Sequence, residues 1–560
     1  MTRARVPALV RKLLAVLAIA TSAYANDISY YSLQSGWGTF ATPLTDRGLH
    51  GEGQIIAVLD TGVDYDSCYF AESDNSRPPI NTGTPGGGLR GTNVDPSRRK
   101  IIAYDFLYSC DQFPGVKGCE DPNNPAAYDN TGHGTHNAAT AGGDKGARIL
   151  HDTADSIASG AKLIVQDGGF VGGDNCSQRP GFGCPVALTP ILDQAYRQGA
   201  RIHTNSWGDR QGASPFVNPP VANYSQSARD VDAFVFTHPD MLVVFDTGNY
   251  GATADIPPTP PPAYSVAAPG TSKNSLQIGG VRPPTRDDSV LSYNTLYGPT
   301  RDGRIKPDLV GPATVSAGDG DNNPTTRNCN FSTIGPGTSW STPTIAAAAA
   351  LVRQYYTEGF YPTGAATSSN AFTPSAALLK ATLIAAARRV PMREVSFTED
   401  VPTQPVPSYE QGFGFPVLDS ALYFAGDVAR LRAIESAGDA TTLRLKVRPG
   451  TQFTAVLVWT DPPGVPGTVS DPTPELVNDL DLMVTHPDGT HAYGNERLHP
   501  GGPDRLNNVE GITLDDPVAG VYTIDVAAHA ITFGSRQPYA LVISGDFSDV
   551  ASPRLRAVRH

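Results

Sequence analysis

Cysteine is scarce in this 560-residue chain: there are six, and none is spaced as a C-x-x-C pair. That spacing argues against zinc, and no cysteine sits in a cysteine-peptidase pattern. Charge is scarce too, at 17% of residues, and positive charge is the minority, with 42 Lys and Arg against 55 Asp and Glu. The net charge of −13 and the lack of a basic stripe give no reason to expect nucleic acid or an anionic membrane surface as a partner. Aromatic residues are 8%, and no internal repeat or long low-complexity tract is evident. Glycine (57) and proline (49) are plentiful, which implies many turns. The length implies two or more domains.

The N-terminus reads as an export signal. Arg3, Arg5, Arg11 and Lys12 precede the apolar run Leu13 to Ala20, and Ala23-Tyr24-Ala25 fits a small-x-small cleavage site. The run is too short to span a bilayer, so no membrane association is expected after cleavage. The expected location is extracellular, with the periplasm as the alternative, and the expected state is a monomer. Six cysteines suit an oxidising compartment and allow fifteen pairings. Cys110 with Cys119 and Cys176 with Cys184 flank short loops, which would leave Cys68 for Cys329.

The expected divisions are a signal over 1–25, a short leader over 26–50, a first domain over 51–432, a second domain over 436–548 and a polar tail over 549–560. In the middle region, short apolar runs such as Gln54 to Leu59, Lys162 to Val165 and Met241 to Phe245 alternate with helical stretches. This pattern predicts an α/β domain with a mainly parallel sheet. Reactive groups then belong at the carboxyl ends of strands. The Ala-rich stretch Pro343 to Tyr356 reads as a buried helix with Pro343 in its first turn. Beyond residue 436 the period becomes two, as in Leu443 to Arg448 and Val521 to Val526, and turn signals such as His486-Pro487-Asp488-Gly489 intervene. An antiparallel, jelly-roll-like β-sandwich is expected.

Three short motifs carry the chemistry. Val58-Leu59-Asp60-Thr61-Gly62 comes first, then Gly132-His133-Gly134-Thr135-His136, then Gly337-Thr338-Ser339-Trp340-Ser341-Thr342-Pro343. A serine hydroxyl is a poor nucleophile at neutral pH and needs a base to take its proton and an acid to orient the base. Asp60, His133 and Ser339 are the candidates, and His136 is expected to pack rather than react. Together the motifs resemble those of the subtilases, the subtilisin-like serine peptidases, which carry their triad in this order.

The resemblance implies a secreted endopeptidase acting on proteins or peptides through an acyl-enzyme. It implies Asn249, in Thr247-Gly248-Asn249-Tyr250-Gly251, as the amide that stabilises the oxyanion. It also implies a substrate cleft walled by Ser206, Trp207 and Gly208, with Gly168 and Gly169 on an opposite edge strand open to β-augmentation. Gly298 to Asp308 is read as structural. The stretches Leu476 to Leu482 and Asn507-Asn508-Val509-Glu510 are similar to a subgroup with a C-terminal β-sandwich. Members of that subgroup bind calcium, so Asp479 and Asp481, alternating along a strand, are the candidate metal ligands. Trp340 departs from the family, where Met is usual.

Two other readings compete. Asp-Thr-Gly occurs twice, at Asp60 and Asp246, as a bilobal aspartic peptidase would require. The unusual residues near the motifs would also suit a catalytically impaired binding protein. Asp246, close in sequence to Asn249, would favour basic residues before the scissile bond if its carboxylate faced the pocket.

Overall fold

The computed structural model describes residues 27–550 apart from 37–38, 84–88, 108–122, 124–131, 147–151, 153, 169–186, 209–221, 250–262, 283–289, 322–325, 397–398 and 469. The export signal, the tail beyond Val550, Gly169 and Cys110, Cys119, Cys176 and Cys184 lie outside the described residues. Cys68 is bonded to Cys329.

The first domain is built on a sheet whose centre is parallel. Its central strands are β1 (Ile55–Asp60), β2 (Ile101–Phe106), β3 (Lys162–Asp167), β4 (Ile202–Asn205), β5 (Leu242–Asp246) and β6 (Leu276–Arg282). Their spatial order is β6-β5-β4-β1-β3-β2, and each neighbouring pair runs parallel. Such strands are covered on both faces, which is why they read as continuous apolar runs rather than alternating ones. Ile56 to Leu59 and Leu242 to Phe245 are all buried.

Helices α1 (His133–Gly142), α2 (Leu188–Arg197), α3 (Gln226–Thr237), α4 (Thr338–Thr357) and α5 (Ala376–Ala385) flank the sheet. The middle of α4 is sealed, with Ala346 to Val352 wholly buried. Alanine is the best helix former and its small side chain allows close packing against strands. No helix among the described residues is long and apolar enough to cross a membrane. Residues 27–50 are part of this body: Leu33 and Leu44 are buried, and the Leu418 N–H donates to the Leu33 carbonyl.

The second domain is a sandwich of two antiparallel sheets. One sheet holds β7 (Arg430–Ser436), β9 (Phe453–Trp459), β11 (Val509–Leu514) and β13 (Tyr539–Gly545), once β8 (Thr441–Val447), β10 (Asn478–Thr485) and β12 (Gly520–Ile531) are assigned to the other. Phe453, Leu457, Trp459, Leu482, Tyr522, Ile524, Leu541 and Ile543 fill the space between the sheets. Because β7 starts at Arg430, the sandwich begins before residue 436, where the second domain was expected to start.

The opposite face of the first sheet of the sandwich packs on α5, so the two domains share a buried seam. Polar groups cross it. Lys273 Nζ lies 2.5 Å from Asp461 Oδ2 with both side chains fully buried, and it donates also to the carbonyls of Pro462 and Glu475. Asn507 Oδ1 accepts from Ile305 N–H at 2.8 Å, and Asn508 Nδ2 reaches Asn274 Oδ1 at 3.1 Å. The Asn507-Asn508 pair and the Gly298 to Asp308 run thus meet at the seam.

Candidate active site

Asp60 is the last residue of β1, and His133 is the first residue of α1. Two glycines let these ends meet. Gly62 has φ 93°, in the left-handed region that glycine tolerates, and a side chain at Gly134 would overlap the Gly62 carbonyl. The Gly134 N–H donates to Thr61 Oγ1 at 3.0 Å, docking the helix on the turn after the strand.

His133 Nδ1 lies 2.6 Å from Asp60 Oδ1. The carboxylate is almost fully buried, whereas the imidazole is about a third exposed, at 32%. The acid is therefore held out of water while the base faces the surface. Accepting from Nδ1 leaves Nε2 as the basic nitrogen. A further partner escaped the sequence reading: Asn137 Nδ2 donates to Asp60 Oδ2 at 2.9 Å. Its signal was its place four residues after His133, on the same helix face.

Ser339 is the second residue of α4, not a residue preceding it. The helix starts at Thr338, so Pro343 is inside it and the expectation of a first-turn proline was wrong. The physical consequence is local. Pro343 has no N–H to give the carbonyl four residues back, which is that of Ser339. Ser206 Oγ supplies the missing donor, at 2.8 Å from the Ser339 carbonyl oxygen. Ser206 therefore positions the Ser339 backbone. The Ser339 N–H, in the first turn, belongs to the donors that have no acceptor within the helix.

Asn249 forms a bridge with Thr295 beside this helix end. Its Oδ1 accepts from Thr338 N–H at 2.9 Å, from Thr338 Oγ1 at 3.1 Å and from Asn294 Nδ2 at 3.2 Å. The two N–H donors on this oxygen set which side of the amide is which, and they leave Nδ2 as the outward donor.

Trp340 packs against both histidines, its ring centroid 5.0 Å from His133 and 4.6 Å from His136. His136 is buried, and burial pushes its pKa down to about 4. It is thus a neutral packing group, with Nε2 at 3.3 Å from the Ser332 carbonyl.

The remaining candidates are less uniform. Trp207 is half-buried, edge-on to Phe245. Gly208 lies against Ala267 and Ala268, where a side chain would collide. Gly168 donates its N–H to the Asp60 carbonyl at 2.8 Å, extending the β1–β3 ladder. That donor is spent within the sheet, and the rest of the expected edge segment, from Gly169 onward, lies outside the described residues. Asp246 is buried, and its Oδ2 lies 3.4 Å from Thr338 Oγ1. Strand β4 stands between β1 and β5, which separates Asp60 and Asp246 by about two strand spacings, roughly 10 Å. They cannot share a proton, and both sit in one parallel sheet, so the aspartic-peptidase reading is excluded.

Asp479 and Asp481 do not fit a calcium ion as placed. Arg505 Nη1 lies 3.2 Å from Asp479 Oδ1 and is also hydrogen-bonded to Asp481 Oδ1. In this arrangement a guanidinium supplies the pair's counter-charge.

The Subtilase family model matches residues 51–414. The Dictyostelium discoideum serine protease/ABC transporter B family protein tagA is 26% identical over 632 residues, covering 93% of this chain and 32% of its own length. The Arabidopsis thaliana subtilisin-like protease SBT3.18 is 28% identical over 233 residues, 39% of this chain and 28% of its own. The chain thus spans about a third of the length of the curated relatives it matches. The solved structure of a serine protease of Aeromonas sobria aligns over 93% of this chain and 95% of its own at 15% identity, with a TM-score of 0.39. With the family model covering well over half of the sequence, the chain belongs to the subtilase family.

Proposed function

We propose that this chain is a serine endopeptidase that cleaves proteins through an acyl-enzyme. The observation that carries the reading is the 2.6 Å contact of His133 with the buried Asp60. Ser339 Oγ attacks the scissile carbonyl as His133 Nε2 takes its proton. The carbonyl oxygen becomes an oxyanion, for which Asn249 Nδ2 and the Ser339 N–H are the donors. Collapse expels the amine, which takes the proton back from His133. Water then enters, gives its proton to His133 and releases the acid, restoring Ser339. Asp60 stabilises the imidazolium in both halves.

Export to an oxidising compartment accompanies this proposal, supported by the N-terminal signal pattern and the Cys68–Cys329 bond. The test is labelling with a fluorophosphonate together with casein hydrolysis. The full chain should be labelled on Ser339 and hydrolyse casein, and Ser339→Ala should do neither. Equal hydrolysis by both proteins would refute the mechanism, and absence of label and hydrolysis in the full chain would favour the impaired binding protein.

A further inference from the structure

Asn294 is a buried amide whose two ends are both engaged close to Ser339. Its Nδ2 carries two N–H groups and donates to Asn249 Oδ1 at 3.2 Å and to the Pro336 carbonyl at 2.8 Å. Its Oδ1 accepts from Ser292 Oγ at 2.7 Å. Pro336 lies just before the Gly337-Thr338-Ser339 motif. One side chain therefore holds both the loop carrying Asn249 and the segment that leads into the nucleophile. The stretch bearing Asn294 is itself pinned to the sheet. Ser292 N–H donates to the Gly280 carbonyl at 2.9 Å, and Gly280 N–H donates to Thr295 Oγ1 at 2.9 Å. Gly280 belongs to β6, so the anchor is a buried strand rather than a surface loop.

An asparagine amide keeps nearly the same shape after a half-turn about its last bond, so hydrogen bonds decide which end faces outward. The Pro336 carbonyl can only accept, and it fixes Nδ2 of Asn294 towards itself. That nitrogen then admits only an oxygen from Asn249. Thr338 N–H makes the same demand on Asn249, at 2.9 Å. Two backbone groups, neither able to flip, thus dictate that Asn249 turns Oδ1 inward and Nδ2 outward. Asn249 is only partly buried. Without Asn294, Thr338 alone would hold its amide, and water could enter on the freed side. A donor aids an oxyanion most when it is already in place as the charge develops, with no reorganisation during the step.

We propose that Asn294 is a positioning residue for the oxyanion site, holding the Asn249 amide with its Nδ2 towards the substrate. The inference rests on the acyl-enzyme reading, in which Asn249 is an oxyanion donor. Asn294 touches neither substrate nor the reacting atoms. Its effect belongs to the step that develops charge and not to substrate binding. A tether on Pro336 alone would act differently: its loss would displace Ser339 whether or not residue 249 carries an amide.

The test is a double-mutant cycle on the full chain with a chromogenic peptide amide, comparing the parent, Asn294→Ala, Asn249→Ala and the double variant. Asn294→Ala should lower kcat by about tenfold, with KM changed by less than about twofold. With Asn249 already replaced, the same substitution should lower kcat by less than about twofold, because the amide it positions is gone. Asn294→Asp keeps the shape but sets a carboxylate oxygen against Asn249 Oδ1, and should lower kcat at least as much as Asn294→Ala. Ser292→Ala frees only the far end of Asn294. It should lower kcat in the same direction, and it takes the place of Asn294→Ala in the cycle if that variant does not fold. An equal fold-loss in both backgrounds, a loss carried by KM, or an unchanged kcat would overturn the inference. A fluorophosphonate separates this inference from the reading beneath it. A parent that takes no label on Ser339 and cleaves nothing refutes both, whereas a labelled, active parent with any of those three outcomes refutes the role of Asn294 alone.

Discussion

At the scale of single residues, hydrogen-bond capacity decides the geometry around Ser339. Asn249 Oδ1 accepts from two N–H donors, so its Nδ2 cannot turn inward without stranding them. Asn249→Ala should lower kcat by about 10²–10³ with little change in KM, because the lost hydrogen bond strengthens only as the oxyanion forms. Steady-state kinetics on a peptide substrate reads both constants. Asp60, His133 and Ser339 were legible in the sequence because each sits in a short local motif. Asn137 and Ser206 were not singled out for the contacts they make. Their roles depend on Asp60 and Ser339 arriving from distant segments.

Among the elements, the start of α4 shows how a proline can be built around. Pro343 withholds a donor and Ser206 replaces it, so the two residues are coupled. Ser206→Ala should leave the buried Ser339 carbonyl unsatisfied and cost about 1–3 kcal/mol of stability. Pro343→Ala restores an N–H to the helix, and in the double variant the cost of losing Ser206 should shrink. Urea unfolding of the four proteins gives the coupling energy, and additive effects would refute the link. The helix itself was legible from its alanines, but its first residue was not. Boundaries depend on hydrogen bonds, and here the loop holding Asn249 supplies one to Thr338 N–H.

Across the whole molecule, the two domains depend on each other. Lys273→Met should destabilise the protein by about 3–5 kcal/mol, because Asp461 would lose its counter-charge in a dry seam. Adding Asp461→Asn should recover part of that loss in thermal unfolding. Acid also removes what two buried histidines contribute. His203 is fully buried against Gln166 and Asn205, and burial pushes its pKa down to about 3, as it pushes His136 to about 4. Both are neutral in the folded state, while the unfolded chain takes up a proton below about 6.5. Their folded pKa values are depressed, so the stability they contribute is present above 6.5 and lost as pH falls towards 4. Each costs about 1.4 kcal/mol per pH unit within that window. The change in urea midpoint from pH 7 to pH 4.5 should therefore be less unfavourable in His203→Gln than in the parent, and equal changes in the two proteins would refute the role of His203.

The sequence by itself determined the fold class, the Asp, His and Ser candidates and the second domain's β character. These follow from residue periodicity and short motifs, which act over a few neighbours. Tertiary structure alone decided that Arg505 occupies the Asp479–Asp481 pair, that Gly168 spends its N–H on Asp60, and that Asn507 and Asn508 face the other domain. The physical reason is that the partner of a buried polar group is set by which segments pack together, and that partner is often hundreds of residues away along the chain.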